Sequence, residues 1–139
     1  MTPSPDSFNA TTDDAPTLRV LVVEDNLVNQ QLMIALLSRR QHQVLVAQNG
    51  KEALDILEHQ SFDIILMDVQ MPVMDGLEAA RQIRERERQT GGHVPIIAMT
   101  ANTLPQDQQM CLQAGMDDHI AKPVEIHRLL IALQHAATA

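Results

Sequence analysis

Acidic residues that follow apolar runs are the side chains best placed to do chemistry in this sequence. Asp68 directly follows the run "DIILM" (63–67), and Glu24 and Asp25 directly follow "LRVLVV" (18–23). Runs this apolar are typical of buried strands, and a carboxylate is rarely buried without a partner. These three carboxylates can act together only if the two runs that carry them are neighbouring strands.

Short apolar runs alternate along the chain with amphipathic stretches. The strict alternation of five strand–helix pairs predicts an α/β fold, a doubly wound five-stranded parallel sheet with helices on both faces. In the flavodoxin-like strand order 2-1-3-4-5, strands one and three are neighbours. The predicted strands are 18–23, 43–47, 63–67, 94–100 and 118–121, and the predicted helices are 26–40, 50–60, 75–88, 105–115 and 125–134.

The predicted helices have recognisable starts and faces. Asn26 and Asp75 are predicted N-cap residues, and Pro105 suits the first turn of the fourth helix. The third helix is predicted to present "RERER" (84–88) to water, laced with ion pairs between residues three or four apart. The apolar face of the first helix is predicted to contain Val28, Leu32, Ala35 and Leu36.

Ligands of doubly wound sheets bind at the carboxyl ends of the strands, so Glu24, Asp25 and Asp68 should share one crevice. Each like-charge pair at ~4 Å costs on the order of 4 kcal/mol at an effective dielectric of ~20, so cations or protons must enter. Carboxylate oxygens suit Mg²⁺. Thr100 ends the fourth predicted strand, and Lys122 follows the fifth. Together these groups could hold a phosphoryl group, with Asp68 as the nucleophile.

Composition excludes several classes of function. The 139 residues carry a formal net charge of -8, which disfavours nucleic acid and direct membrane contact. Trp and Tyr are absent, so a flavin or a base would lack a stacking platform. The lone Cys111 fits a reducing, cytoplasmic compartment, although a parent protein could be membrane-anchored. Residues 1–16, rich in Pro, Ser, Thr and Asp, are predicted to be a disordered lead-in or linker to one domain at 17–139.

Four motifs resemble the receiver domain of two-component response regulators: "VVEDN" (22–26), "MDVQMPVMDG" (67–76), "PIIAMTA" (95–101) and "AGMDDHIAKP" (114–123). They occur in the family's order with fitting spacing. The wording of "NLVNQ" and "GMDDHIAKP" is most similar to receivers of hybrid sensor histidine kinases. The resemblance therefore implies a phosphorelay domain excised from a hybrid kinase, with a stand-alone response regulator as the alternative.

The resemblance implies a role for each acidic residue. Asp68 would accept a phosphoryl group from the phosphohistidine of a histidine kinase or a histidine phosphotransfer domain. Asp25 would bind Mg²⁺ directly, Glu24 would bind it through water, and the backbone carbonyl of Gln70 would be the remaining protein ligand. Such a domain is not an enzyme beyond its own phosphotransfer and autodephosphorylation, although its parent chain would be a histidine kinase.

The resemblance also implies a switch. Thr100 would bond the phosphoryl oxygens and move, and Lys122 would pair with the phosphate beside a cis bond to Pro123. The fourth helix, fifth strand and fifth helix would then change their affinity for partners, with a weak homodimer through this face as a further expectation. The family's usual switch aromatic is replaced by His119. Our interpretation is a smaller packed ring, and our hypothesis is a weaker or pH-sensitive switch.

Two amides bear on the lifetime of the phosphoryl group and on rival functions. Gln70 and Asn102 lie two residues after Asp68 and Thr100, where the family's pattern implies that they flank the path of the hydrolytic water. An aspartate-nucleophile phosphatase would resemble D-x-D, and Gln70 replaces the second acid. A flavodoxin-like electron carrier is disfavoured by the missing aromatic pair.

Overall fold

The computed structural model describes residues 17–101 and 104–138, with side chains described as far as residue 136. The lead-in predicted at residues 1–16 and the predicted hydrolysis-tuning residue Asn102 lie outside the described residues. Within the described chain, no helix combines the length and apolar character needed to cross a bilayer.

Five strands and five helices alternate along the described chain. The strands form one parallel sheet in the order β2-β1-β3-β4-β5, which confirms the predicted doubly wound fold. The strands are β1 (Arg19–Val23), β2 (Gln43–Ala47), β3 (Ile64–Asp68), β4 (Ile96–Thr100) and β5 (Asp118–Ala121). The helices are α1 (Leu27–Ser38), α2 (Gly50–Leu57), α3 (Gly76–Thr90), α4 (Pro105–Gln113) and α5 (Ile126–Thr138).

Side chains of the central strands alternate between two cores, one on each face of the sheet. Leu21 and Ile65 pack in the core beneath α2, α3 and α4, whereas Val22 and Leu66 pack in the core beneath α1 and α5. Because helices cover both faces, β1, β3 and β4 are apolar along nearly their whole length. The buried runs hold the ends of these strands in fixed register.

The predicted helix starts are confirmed. Asn26 Oδ1 accepts a hydrogen bond of 3.0 Å from the Asn29 amide, and Asp75 Oδ1 accepts one of 2.9 Å from the Glu78 amide. Pro105 lies in the first turn of α4. Helix ends were predicted less well: α1 stops at Ser38, and α5 continues to Thr138.

The predicted apolar face of α1 was wrong. Val28 is 73% exposed, Leu32 is 43% exposed and Ala35 is also exposed, while Leu36 is only partly buried. The buried residues of α1 are Gln30, Met33 and Leu37. Apolar residues occur nearly all round this helix, so their period does not define one face. Packing of Met33 and Leu37 on the sheet decides the orientation and leaves other apolar side chains in solvent.

The prediction that "RERER" faces water was wrong for Arg84 and Glu87, and Arg86 is only partly exposed. The side chains of Arg84 and Glu87 are only 14% and 16% exposed. Arg84 crosses to the chain before β5, where Nε donates to the Gly115 carbonyl at 2.8 Å and Nη2 lies 2.7 Å from Asp117 Oδ2. Gly115 has a φ of 105°, and a Cβ there would lie 2.6 Å from Arg84 Cγ. The glycine therefore ends α4 and leaves room for the arginine.

Candidate functional site

The strand register brings the three predicted carboxylates together. Val23, the last residue of β1, pairs with Met67 of β3, so Glu24 and Asp68 emerge at the same level of the sheet. One carboxylate oxygen from each of Glu24, Asp25 and Asp68 lies within 4.8 Å of the others. Glu24 and Asp68 are only 1% and 6% exposed, whereas Asp25 is exposed to solvent.

Lys122 joins this cluster from the chain that follows β5. Its Nζ lies 3.0 Å from Glu24 Oε1 and 3.0 Å from Asp68 Oδ2. Burial acts to lower the pKa of the ammonium, but the hydrogen bonds and negative charges of the two carboxylates outweigh it, so the pKa of Lys122 is raised. Its backbone amide donates to the Thr100 carbonyl at 2.9 Å, and the Lys122–Pro123 bond is cis. The lysine is therefore charged at neutral pH and tied to the end of β4.

Gly76 fixes the backbone around Asp68, a role that the sequence did not reveal. A Cβ at Gly76 would lie 2.3 Å from the Asp68 carbonyl oxygen, so no side chain fits without moving the strand end. The Gly76 amide also donates to the Val69 carbonyl at 2.8 Å. The signal was present in "MDVQMPVMDG", where glycine begins α3 immediately after its N-cap. Contact of α3 with the end of β3 holds Asp68 in place.

Gln30 was also missed among the predicted site residues. Its Nε2 donates to the Glu24 carbonyl at 2.7 Å, from a largely buried position in α1. The neighbouring Asn26 amide donates to Glu24 Oε2 at 3.2 Å. The available signal was polarity: Gln30 is the polar residue of the stripe that Met33 and Leu37 continue into the core.

The remaining predicted site residues lie at the same edge of the sheet and differ in their exposure to solvent. The backbone N–H of Gln70 donates to Asp68 Oδ1 at 3.2 Å, which places this exposed residue beside the acid. Thr100 is 6% exposed and pairs with Ala121 across the sheet. His119 is half-buried in β5, and its carbonyl accepts a hydrogen bond of 2.9 Å from Arg128. The carbonyl ligand from Gln70 and the switch role of His119 stay predictions.

The donor set fits a hard divalent cation. Three carboxylates and one ammonium leave two negative charges in excess in a partly buried cluster. The acidic groups offer oxygen donor atoms, and Asp25 opens the cluster to solvent, which suits Mg²⁺ because this ion usually keeps several waters. Lys122 alone cannot balance the cluster.

A comparison with protein families identifies the domain. Residues 20–134 match the model of the response regulator receiver domain. The chain belongs to the response regulator receiver family. The resemblance found in the sequence motifs is thereby confirmed, and the carboxylate cluster lies at the carboxyl edge of the receiver sheet.

Relatives of this receiver include parts of much longer proteins. Hybrid signal transduction histidine kinase I of Dictyostelium discoideum is 46% identical over 112 residues, which cover 76% of this chain and 6% of that kinase. The chain likewise spans 10% of hybrid signal transduction histidine kinase K from the same organism, at 38% identity over 124 residues that cover 86% of this chain. The receiver thus spans only a small part of the curated relatives that it matches.

Solved receiver structures share the fold at high similarity. The receiver domain of Ssk1 from Saccharomyces cerevisiae, solved with the histidine phosphotransfer protein Ypd1, gives a TM-score of 0.85 at 35% identity, over 88% of this chain and 90% of that one. The receiver domain of sensor histidine kinase PA1611 from Pseudomonas aeruginosa PAO1, solved with magnesium in its active-site cleft, gives 0.80 at 42% identity, over 89% and 100%.

Proposed function

We propose that this receiver accepts a phosphoryl group on Asp68 from the phosphohistidine of a histidine kinase or a histidine phosphotransfer domain, as one step of a phosphorelay. The observation that carries the proposal is the position of Lys122 Nζ, 3.0 Å from both Glu24 and Asp68, in a cluster that still has excess negative charge. A merely structural site would balance its charges within the chain.

In the proposed step, an Asp68 carboxylate oxygen forms a bond to phosphorus while the P–N bond to the partner's imidazole breaks. The imidazole nitrogen keeps the electron pair of that bond and is reprotonated from solvent. Lys122 neutralises part of the charge on the incoming phosphoryl oxygens, and the buried strand end keeps Asp68 aligned. Beyond this transfer and the hydrolysis of its own aspartyl phosphate, the domain has no further catalytic activity in our proposal.

Glu24, Asp25, Asp68 and the carbonyl of Gln70 are the proposed Mg²⁺ ligands, with Glu24 acting through water. When bound, Mg²⁺ supplies positive charge that stabilises the phosphoryl oxygens during transfer. Lys122 forms an ion pair with Glu24, so the exposed Asp25 is the acid most available to the cation. Gln70 and Asn102 are proposed to tune how quickly water removes the phosphoryl group.

The proposed response runs from Thr100 to the face formed by α4, β5 and α5. Thr100 ends β4 and pairs with Ala121, so its movement would shift β5 and His119. Apolar side chains are already exposed on this face, where they could bind a partner or a second copy weakly. They are Leu104, Met110 and Leu112 on or beside α4, and Ile131 on α5.

The histidine-bearing partner is proposed to dock on the apolar side chains next to the acceptor, which we call the docking rim (Leu27, Val28, Leu32 and Val73). Leu27 and Val28 follow Asp25 closely and are 64% and 73% exposed. Val73 follows Asp68 in the β3–α3 loop and is 78% exposed. Exposed apolar side chains on two sides of a reactive carboxylate are typical of a protein-binding surface.

Acetyl phosphate with Mg²⁺ tests the acceptor. Intact-mass spectrometry should show one added phosphoryl group on the wild type, and none on Asp68→Asn. Asp55→Asn is the matched control, because Asp55 lies on the exposed surface of α2 and should leave labelling unchanged. A phosphoryl group that persists on Asp68→Asn would overturn the proposed acceptor.

A phosphorylated histidine phosphotransfer domain tests the docking rim. Val28→Ala should slow transfer from that protein by about fivefold or more, the effect of losing 1 kcal/mol of contact, without slowing labelling by acetyl phosphate. Leu112→Ala removes an apolar side chain that is 55% exposed on α4 and is the control, because the face of α4, β5 and α5 is proposed to act only after the transfer. If both variants slow transfer equally, docking does not use the rim.

The domain is proposed to comprise residues 17–139, with 1–16 as a linker, and to derive from a hybrid histidine kinase. Its similarity to receivers of such kinases supports this origin over a stand-alone response regulator. Sequencing the complete reading frame decides between them: kinase domains encoded with the receiver support a hybrid kinase, and a frame without them supports the stand-alone protein.

A further inference from the structure

Gln30 occupies a position in α1 that would suit an apolar residue. It lies on the buried stripe with Met33 and Leu37, while Val28 is 73% exposed on the same helix. A buried amide is unfavourable unless its polar atoms are bonded. Gln30 thus points inward at a position where leucine or methionine would pack. Its side-chain amide must therefore have a hydrogen-bond partner there.

The contact is with the peptide unit that joins the two acids at the end of β1. Gln30 Nε2 lies 2.7 Å from the Glu24 carbonyl oxygen, which belongs to the Glu24–Asp25 peptide plane. The preceding peptide is held by the sheet, because the backbone N–H of Glu24 donates to the Ala47 carbonyl of β2 at 3.0 Å. The plane that sets the relative direction of the Glu24 and Asp25 side chains is thus held by a helix side chain.

We propose that Gln30 is a positioning residue for the acidic cluster: through the Glu24 carbonyl, it fixes Glu24 and Asp25 in the arrangement that binds Mg²⁺. This inference rests on the proposed metal site and assigns Gln30 no contact with the ion. The surplus negative charge of the cluster pushes the carboxylates apart. A hydrogen bond that holds their shared peptide plane opposes this movement before the cation arrives, so less reorganisation accompanies binding.

Titration of Mg²⁺ into ¹⁵N-labelled protein, followed through backbone amide shifts, tests this role. Gln30→Met keeps the length of the side chain and removes the donor, and it should weaken Mg²⁺ binding by about 10- to 100-fold. Gln31→Met is the matched control, since Gln31 is exposed one position further along the same helix. Its affinity for Mg²⁺ should equal that of the wild type.

Urea unfolding of the same proteins separates positioning from structural support, because a purely structural role lowers stability and leaves the Mg²⁺ affinity of the folded protein unchanged. An affinity of folded Gln30→Met equal to that of Gln31→Met would overturn the inference and leave the metal site standing. A wild type that binds no Mg²⁺ would overturn both. If Gln30→Met does not fold, Gln30→Asn, which retains the amide on a shorter side chain, must show the weakened binding.

Discussion

Each edge of the sheet carries a group of acids, but the two groups are paired differently. At the amino edge, before β4 and β5, Glu87 and Asp117 share the guanidinium of Arg84 at 2.7 Å each. Glu87 Oε2, the oxygen that Arg84 leaves free, accepts a backbone hydrogen bond of 2.7 Å from Val94, and Asp117 Oδ2, which Arg84 also contacts, accepts one of 2.8 Å from Ile96. These distances are typical of strong charge-assisted hydrogen bonds. The chain itself satisfies the acids at this edge.

At the carboxyl edge, the donors seen among the described residues are fewer per acid and more distant. Glu24 and Asp68 share one ammonium at 3.0 Å, and each accepts a backbone hydrogen bond of 3.2 Å, from Asn26 and Gln70 respectively. Asp25 adds a further charge within 4.8 Å. Among the described residues, incomplete pairing therefore distinguishes the proposed site, since clustered acids occur at both edges.

A cavity lies near the amino edge, where the acids are already paired. A cavity of about 440 Å³ opens near the amino edge, lined in part by Phe62, Ile83 and His93. The acids beside it are already bonded to arginine and to backbone amides. Our proposal of a reactive site at the carboxyl edge therefore rests on unbalanced charge and not on a cavity.

Removing Arg84 should produce the largest effect and break the balanced edge. Arg84→Met leaves Glu87 and Asp117 without their shared cation, so the free energy of unfolding should fall by about 3 kcal/mol, the low end for a broken buried pair because Asp117 is a third exposed. Urea unfolding measures this loss. Arg88→Met, at an exposed pair with Glu85, should cost less than about 0.5 kcal/mol. Equal losses would show that the amino-edge network contributes no more than a surface pair.

Mg²⁺ should stabilise the protein through the unbalanced edge alone. At a hundredfold excess over its Kd, the free energy of unfolding should rise by about 2.7 kcal/mol, because the ion binds the folded chain. Urea unfolding with and without MgCl₂ measures the increment, which should persist in Arg84→Met and vanish in Asp25→Asn. A similar increment from NaCl at the same ionic strength would indicate screening and contradict a bound ion.

Removing an acid should have opposite signs at the two edges. Without Mg²⁺, Asp25→Asn should stabilise the protein by up to about 1 kcal/mol, since it relieves repulsion from Glu24 and Asp68. Asp117→Asn should destabilise it, because Arg84 loses a partner. Chemical denaturation in a chelator measures both, with the exposed Asp55→Asn as a neutral control. A loss of stability in Asp25→Asn would contradict surplus charge at the carboxyl edge.

The sequence predicted the carboxyl edge better than the amino edge for a physical reason. Asp68 and Glu24 lie at the ends of continuous apolar runs, which are typical of buried strands. The carboxyl ends of neighbouring parallel strands meet at one edge of the sheet. The pairing of Arg84 with Asp117 depends on how α3 packs beside Gly115, which no local pattern encodes. Charged runs on helices are usually solvated, so the sequence favoured an exposed Arg84.

The orientation of α1 could not be predicted from its pattern either. With apolar residues on most of its surface, the helix has two faces that could be buried, and contacts with the sheet select Met33 and Leu37. The inward Gln30 was concealed by the same ambiguity, because a polar residue argues against burial unless its partner is known. Its partner, the Glu24 carbonyl, is visible only in three dimensions.

The smallest expected effect concerns pH and also separates the edges. At the amino edge, His42 Nδ1 accepts the Leu18 amide at 3.0 Å, so the neutral ring fits the folded protein. Burial and, secondarily, the charge of Arg40 lower the pKa of His42. The unfolded chain therefore takes up this proton first as pH falls. The His42 contribution to stability is complete above about pH 6.5 and decreases as pH falls below it, with a slope under about 1.4 kcal/mol per pH unit.

His42→Gln should flatten this part of the pH profile of urea unfolding, while the exposed His59→Gln should leave it unchanged. At the carboxyl edge, Lys122 should not make the free energy of unfolding depend on pH near neutrality. The raised pKa of that lysine means that its stabilising contribution is complete at neutral pH and is lost only as pH rises through the folded-state pKa. A slope near pH 6 that survives His42→Gln would place the titrating group elsewhere and weaken the contrast between a balanced amino edge and a carboxyl edge that awaits a cation.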